Sequence, residues 1–326
     1  MRRTQTALLL AIAAIAGVAA AAAPAPRAPA AKAAAPSVEP PAPLVVSPAW
    51  LAAHLGEPGL ILLHVGEPEG YRARHIAGAR RVAVSDIAVG TEHEAQLHLE
   101  LPAADDLRRR LEALGISNDS RIVVYFADDW LSPATRVVFT LDAAGLGAHT
   151  SLLDGGLPGW LAAGQPVTDA APLATTGKLA PLQIRPIVVD AATVKARLGK
   201  RGFAVVDART PAYYDGAETG GMPGHMHRPG HIPGAKSVPF DSVFDDHGAL
   251  RSPAELEARF QRAGVAPGDT VIGYCHIGQQ ATAMLLAARR LGHPVLLYDG
   301  SFEDWSRLHP DYPVDRASGS RTEGTP

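Results

Sequence analysis

Among its 326 residues this chain has one cysteine, Cys275. That scarcity excludes an intramolecular disulfide and any zinc or iron-sulfur centre built from several thiolates. Positive charge is not in excess either: 30 Lys and Arg stand against 33 Asp and Glu, a net −3. With no cationic field to gather a polyanion, nucleic acid is not an expected partner. Aromatic residues are few, at 6%, yet hydrophobic residues reach 47% and charged residues only 19%. This balance belongs to a globular chain, and the length suits two domains.

Only one long uncharged apolar run occurs, from Ala7 to Ala23 behind Arg2 and Arg3. A charged start, an apolar middle and a small-residue end describe a secretory signal over residues 1–23. The alternative, an uncleaved anchor, is weaker, because an alanine-dominated run of this length is short and weakly apolar for a membrane span. Thr4, Gln5 and Thr6 stand where a twin-arginine signal places hydrophobic residues. The expected product is periplasmic or secreted, without stable membrane association after cleavage. Residues 24–43 form an Ala/Pro tract that reads as a semi-extended spacer.

The remainder is one pattern written twice. "SPAWLAAHLGEPGLILLHV" (47–65) parallels "DAATVKARLGKRGFAVVDA" (190–208), each a short helix opened by a capping residue, Ser47 or Asp190, and followed by an apolar β-rich run. "HIAGARRVAV" (75–84) parallels "HIPGAKSVPF" (231–240). "LRRRLEALGISNDSRIVVYF" (107–126) parallels "LEARFQRAGVAPGDTVIGYC" (256–275), helices closed by Gly115 and Gly264 and followed by strands. "LLDGGLPGW" (152–160) parallels "LYDGSFEDW" (297–305). Four matched blocks in one order imply duplication. Each half, 44–168 and 186–316, reads as an α/β unit with a mainly parallel sheet covered by helices on both faces, joined by a linker over 169–185 and followed by a tail over 317–326.

The halves differ in two places. The second carries about 13 extra residues, "GAETGGMPGHMHRP", rich in glycine and histidine. After the last shared strand of the third block, the first half has "FADDWLSPATR", with Asp128 and Asp129, where the second has "CHIGQQATA". Chemistry that needs a thiol is confined to the second half.

"TVIGYCHIGQQATAMLLAARRLG" reads as a strand over Thr270–Tyr274, a tight loop from Cys275 to Gln280, and a helix from about Ala281 to Leu291 closed by Gly292. Cys275 therefore stands at the carboxyl end of a strand beside a helix N-terminus, where open α/β sheets bind ligands. Unpaired N–H groups of the loop and first turn can converge on the sulfur and favour the thiolate, the nucleophilic form. A lone cysteine is more often a small buried hydrophobe. Opening a polar, glycine-containing loop argues for the reactive role instead, with a reachable sulfur. His276 either is solvated or adds partial positive charge to the pocket. Gly278 lets the backbone curl, and Gln279 and Gln280 read as exposed.

The Cys-x-x-Gly-x-x-Ala loop, "GHIPGA" at 230–235 and "YDGSFEDW" at 298–305 together resemble the rhodanese family of sulfurtransferases over roughly residues 44–316. The resemblance implies a tandem fold in which the first domain is silent, often with Asp at the cysteine position. It implies a ping-pong reaction in which Cys275 takes a sulfane sulfur from thiosulfate or a related donor and passes it to a thiol or cyanide. The loop residues His276, Ile277, Gly278, Gln279, Gln280 and Ala281 would bind the donor, and no cofactor or metal is implied. Donor patterns of the family place basic residues after the cysteine for thiosulfate and small ones for 3-mercaptopyruvate; His276-Ile277 matches neither. A family arginine just past the "VVDAR" strand falls here on Tyr213 or Tyr214, which passes cationic duty to Arg209, Arg228, His225 or His227. Arg209 also reads as a structural partner of Asp207. His225, His227 and His231 offer a metal site as an alternative, although His231 belongs to the family's structural turn. Asp304 replaces a usual Glu and is expected to alter only how a helix end is held. His75 and Trp160 read as packing or turn residues. A phosphatase reading of the same fold needs arginine six residues after the cysteine, and Ala281 stands there. A non-catalytic sulfur carrier or anion-binding module is the rival from another functional class.

Overall fold

The computed structural model describes residues 42–90, 97–128, 131–222 and 225–316. The expected signal at 1–23, nearly all of the spacer, Asp129 and the tail at 317–326 lie outside the described residues.

Two five-stranded sheets carry the fold, each entirely parallel. The first is built from β1 (Val45–Val46), β2 (Leu60–Val65), β3 (Arg80–Arg81), β4 (Arg121–Phe126) and β5 (Thr150–Leu153), in the order β1-β5-β4-β2-β3. The second uses β6 (Val188–Val189), β7 (Phe203–Asp207), β10 (Lys236–Ser237), β11 (Thr270–Tyr274) and β12 (Val295–Tyr298), in the order β10-β7-β11-β12-β6. Read from the opposite edge this is the same order. A short antiparallel pair, β8 (Gly221–Met222) and β9 (His225–Met226), lies in the insert of the second half.

Central strands read as continuous apolar runs, LILLHV and RIVVYF in the first half and FAVVD and TVIGY in the second, because helices bury both faces of a parallel sheet. The expected caps form: Ser47 Oγ accepts from Trp50 N at 3.1 Å, and Asp190 Oδ1 accepts from Thr193 N at 2.8 Å. Gly115 and Gly264, at φ +81° and +78°, follow the helices Ala104–Ala113 and Pro253–Arg262.

Duplication extends to single hydrogen bonds. Ile76 N donates to Tyr125 Oη at 3.0 Å, and Ile232 N to Tyr274 Oη at 3.1 Å. His75 Nδ1 donates to the Tyr71 carbonyl at 2.7 Å, and His231 Nδ1 to that of Tyr214 at 2.8 Å. Trp160 and Trp305, both fully buried, donate to the Pro166 and Pro313 carbonyls at 2.8 and 2.9 Å. His75 and Trp160 thus hold turns, as expected of them.

The halves share one core. The described residues form a single compact unit, and one buried cluster runs from Leu63, Val124 and Val137 in the first half to Val206, Met284 and Leu297 in the second. At its centre the helix Leu131–Ala143 packs on the helix Gln280–Arg290, with Thr135 Oγ1 and Thr282 Oγ1 hydrogen-bonded at 2.9 Å. Buried Glu303 accepts from His98 N at 3.0 Å and, from its own half, from Arg307 Nη1 at 2.6 Å. Among the described residues no helix is long and apolar enough to cross a membrane.

Candidate active site

Cys275 follows β11 directly, and the helix Gln280–Arg290 begins five residues later. The strand ends as expected; the helix starts one residue earlier. Cys275 N donates to Ser301 Oγ at 3.2 Å, and its carbonyl accepts from Phe302 N at 3.0 Å. Ser301 Oγ in turn donates to the Tyr298 carbonyl at 2.9 Å, so the "YDGSFEDW" turn fastens the root of the loop. Ser301 holds this pose at φ +53°, a left-handed conformation that costs a non-glycine residue of order 1 kcal/mol. Gly278 sits at φ +78°, where a Cβ would crowd the Asp299 carbonyl and the guanidinium of Arg136.

With its two ends fastened, the middle of the loop leaves its donors open. The N–H groups of Ile277, Gly278 and Gln279 have no protein acceptor among the described residues. Such a run of free amides is a cradle for an anion. Ile277 is half-buried. Gln279, expected to be exposed, is half-buried and reaches the first half, its Nε2 donating to Ser132 Oγ at 3.3 Å. Gln280 buries its Oε1 without a partner, and Ala281 is fully buried where a phosphate-binding arginine would have to stand.

The sulfur is not reachable as the loop reading expects. Cys275 is 0% exposed and belongs to the apolar core. The insert packs on the neighbouring residue: Gly220 accepts from His227 N at 2.9 Å and lies so close to His276 that an added Cβ would overlap Nδ1 of that ring. The rings of His227 and His276 stand 5.7 Å apart, and Tyr213 meets His276 edge-on at 4.5 Å. Three ring nitrogens, both of His227 and Nδ1 of His276, are buried without a partner. Burial, reinforced by the positive charge of Arg209, pushes His227 down to about 4 and His276 to about 3. Both rings are therefore neutral at pH 7, so His276 brings no full charge to the pocket.

The two arginines proposed as anion binders are directed into the protein. Arg209 donates through Nε to Asp207 Oδ1 at 3.0 Å and through Nη2 to Oδ2 at 2.6 Å, and also to the Gly230 carbonyl at 2.7 Å. Its guanidinium lies 4.1 Å from the Phe302 ring centre. Burial opposes its charge, but Asp207, with smaller help from Tyr274 and Cys275, holds its pKa above the ordinary value. Arg209 is thus the structural partner of Asp207 and lies close enough to feel Cys275. Arg228 donates to the carbonyls of Ser306 at 3.0 Å and Tyr312 at 2.8 Å, tying down the last turn.

Among the described residues no group of three His, Cys, Asp or Glu is placed to hold a metal ion. The histidines of the alternative metal reading are dispersed: His231 bonds and stacks on Tyr214, His227 faces His276, and the side chain of His225 lies outside the described residues. Asp304 accepts from Tyr298 Oη at 2.9 Å and meets His309 at 3.2 Å, so it does hold a helix end.

The first half has no equivalent site. Register pairs His64 with Tyr125 as it pairs Asp207 with Tyr274, which puts Phe126, and not Asp128 or Asp129, in the place of Cys275. On the same count His64 replaces Asp207 and Gly66 replaces Arg209. Four contributors escaped the sequence reading: Ser301, Phe302, Gly220 and Arg136. Ser301 and Phe302 stood inside a recognised motif, and Arg136 was visible as the one charged residue between Ser132 and Leu141, but nothing local announced what any of them touches.

Comparison with known proteins agrees with this fold. The rhodanese-like domain model matches residues 47–163 and again 190–308. A thiosulfate sulfurtransferase of Pseudomonas aeruginosa is 34% identical over 277 residues, 84% of this chain and 97% of that protein. A 3-mercaptopyruvate sulfurtransferase of Rattus norvegicus is 30% identical over 254 residues, covering 76% and 83%. The crystal structure of SseA from Escherichia coli, described as a 3-mercaptopyruvate sulfotransferase of rhodanese fold, superposes with a TM-score of 0.68 at 27% identity, covering 79% of this chain and 98% of that one. With two copies of the domain and relatives aligned along nearly their whole length, this chain belongs to the rhodanese-like family of sulfurtransferases.

Proposed function

We propose that this chain transfers a sulfane sulfur through a persulfide on Cys275, with thiosulfate or a related anion as donor. One observation carries the assignment to this residue: the single thiol of the chain opens a strand-to-helix loop whose amides at 277–279 have no protein acceptor among the described residues. The thiolate attacks the outer sulfur of thiosulfate; the S–S bond to the sulfite group breaks and its electron pair leaves with sulfite. Cyanide or a thiolate then attacks the outer sulfur of Cys275–S–S⁻, and the electron pair of that bond returns to Sγ. Free loop amides stabilise the charge on sulfur at each stage. Donor access requires a movement that exposes the sulfur, since Cys275 is 0% exposed.

A second donor, 3-mercaptopyruvate, is favoured by a separate observation. The side chains over the loop are two imidazoles, His227 and His276, while Arg209 and Arg228 are bonded to protein acceptors. Neutral hydrogen-bonding groups suit a monoanion better than a dianion. Incubation with each donor followed by mass measurement of the Cys275 peptide tests both. A gain of one sulfur in the wild type and none in Cys275→Ser is expected; turnover in Cys275→Ser would end the assignment. Loading without turnover on cyanide or a dithiol would reassign the protein as a sulfur carrier.

We also propose that residues 1–23 direct export, which places the mature chain in the periplasm or outside the cell. The support is the charged start and apolar run of that segment. N-terminal sequencing of the protein from fractionated cells tests it, and an intact Met1 in the cytoplasmic fraction would overturn it.

A further inference from the structure

Arg136 belongs to the half that has no thiol, yet its side chain ends at the loop that does. It is 1% exposed, near the middle of the helix Leu131–Ala143. Nη1 donates to the Gly278 carbonyl at 3.0 Å and to Asp299 Oδ1 at 2.5 Å, and Nη2 donates to the Leu99 carbonyl at 2.5 Å. Asp299 is itself held by Leu101 N, which donates to Oδ2 at 2.8 Å. Leu99 presents its carbonyl from a left-handed conformation, φ +59°, which a leucine adopts only when its surroundings compel it. The guanidinium is thus fixed at both ends by groups that are fixed in turn.

The peptide joining Gly278 and Gln279 is planar and trans, so its C=O and N–H point in opposite directions. Arg136 reaches the loop from the first half and takes the carbonyl, which turns the Gln279 N–H the other way, away from the guanidinium. That N–H has no protein acceptor among the described residues. Gly278 allows the arrangement because its φ of +78° and missing Cβ let the Asp299 carbonyl and Arg136 approach together.

We propose that Arg136 is the positioning residue of the sulfur-transfer loop: by holding the Gly278 carbonyl it aims the Gln279 amide at the charge that develops on the Cys275 sulfur. The first half then supplies no reacting atom, but it sets the orientation of a donor that the second half uses. A fork-shaped guanidinium suits this task, since one side chain must satisfy three acceptors in different directions, which an ammonium does less well.

The proposal rests on Cys275 as the persulfide carrier, and the test separates the two. Full-length wild type, Arg136→Ala, Arg136→Lys and Thr135→Val are compared for the rate of persulfide formation at saturating thiosulfate, read by mass on the Cys275 peptide, alongside thermal unfolding. Thr135→Val removes a hydrogen bond across the same interface without touching Gly278. Loading in Arg136→Ala is expected to fall about 10- to 100-fold, less than the roughly 100- to 1,000-fold seen when an oxyanion donor is removed outright because the amide is misaimed and not lost, while Thr135→Val stays within about twofold. Guanidinium chloride at non-denaturing concentration should restore part of the Arg136→Ala rate, and equal sodium chloride should not. Should Arg136→Ala fail to fold, Arg136→Lys carries the same reading, with the charge kept and the fork lost. A folded Arg136 variant that loads at the wild-type rate, or losses that match Thr135→Val at equal stability, would overturn the positioning role. Failure of the wild type to load would instead remove the Cys275 assignment.

Discussion

The imidazoles of His227 and His276 stand 5.7 Å apart beside the loop that buried Cys275 opens, one ring brought by the insert and the other by the loop itself. Three of their four nitrogens are buried without a partner, so the closed arrangement contains polar atoms that water or a ligand would satisfy on opening.

This pair makes stability fall with acid. The folded values lie at about 4 and about 3, below the ordinary 6.5, because burial disfavours the charged rings. The unfolded chain therefore binds more protons below pH 6.5, and stability drops as pH falls from there toward 3. Each histidine is expected to lower stability by of order 1 kcal/mol at pH 5 relative to pH 7. Urea midpoints at the two pH values check this: the drop should shrink in His227→Gln and in His276→Gln, and equal drops in all three proteins would contradict it.

Gly220→Ala should loosen the insert from His276. Its new methyl group would overlap the His276 ring, which must shift. Carbamidomethylation of Cys275 by iodoacetamide at pH 7 is expected to speed up several-fold, with a loss of about 1 kcal/mol typical of overpacking. An unchanged rate would mean that another element shields the sulfur.

Glu100 gives a pH effect of opposite sign. Burial first, then the nearby Asp299 carboxylate, raises it to about 8 from 4.5. Here the folded state holds the proton more tightly, so stability is lost as pH rises from 4.5 through 8. Glu100→Gln should raise the melting temperature at pH 9 by a few degrees and change it little at pH 5. A shift of the same size at both values would rule out ionisation as the cause.

Arg209→Met removes one member of a buried pair and leaves Asp207 charged among apolar groups. A loss of about 3–5 kcal/mol is expected. Denaturant unfolding measures it, and Asp207→Asn combined with Arg209→Met should recover part of the loss because no bare charge remains.

The tandem α/β architecture was legible because its signals are local. Caps at Ser47 and Asp190, stops at Gly115 and Gly264, and apolar runs such as RIVVYF and TVIGY each act within a few residues, and their repetition exposed the duplication. Cys275 was legible for the same reason, standing where a strand ends and a helix is about to start. The state of its sulfur was not. The loop read as presenting a reachable thiol, and packing put Cys275 in the shared apolar core, with the glycine- and histidine-rich insert against its neighbour His276.

By itself, the order of residues determined two similar sheets, their strand and helix boundaries, and the position of one thiol at a loop between them, since these follow from periodicity and turn chemistry along the chain. Only the tertiary structure decided that the two halves share one core, that Cys275 is enclosed, and that Arg136 reaches across 142 positions to Gly278. Those outcomes depend on which surfaces meet when the two halves share a core, and a buried guanidinium must find acceptors wherever packing puts them.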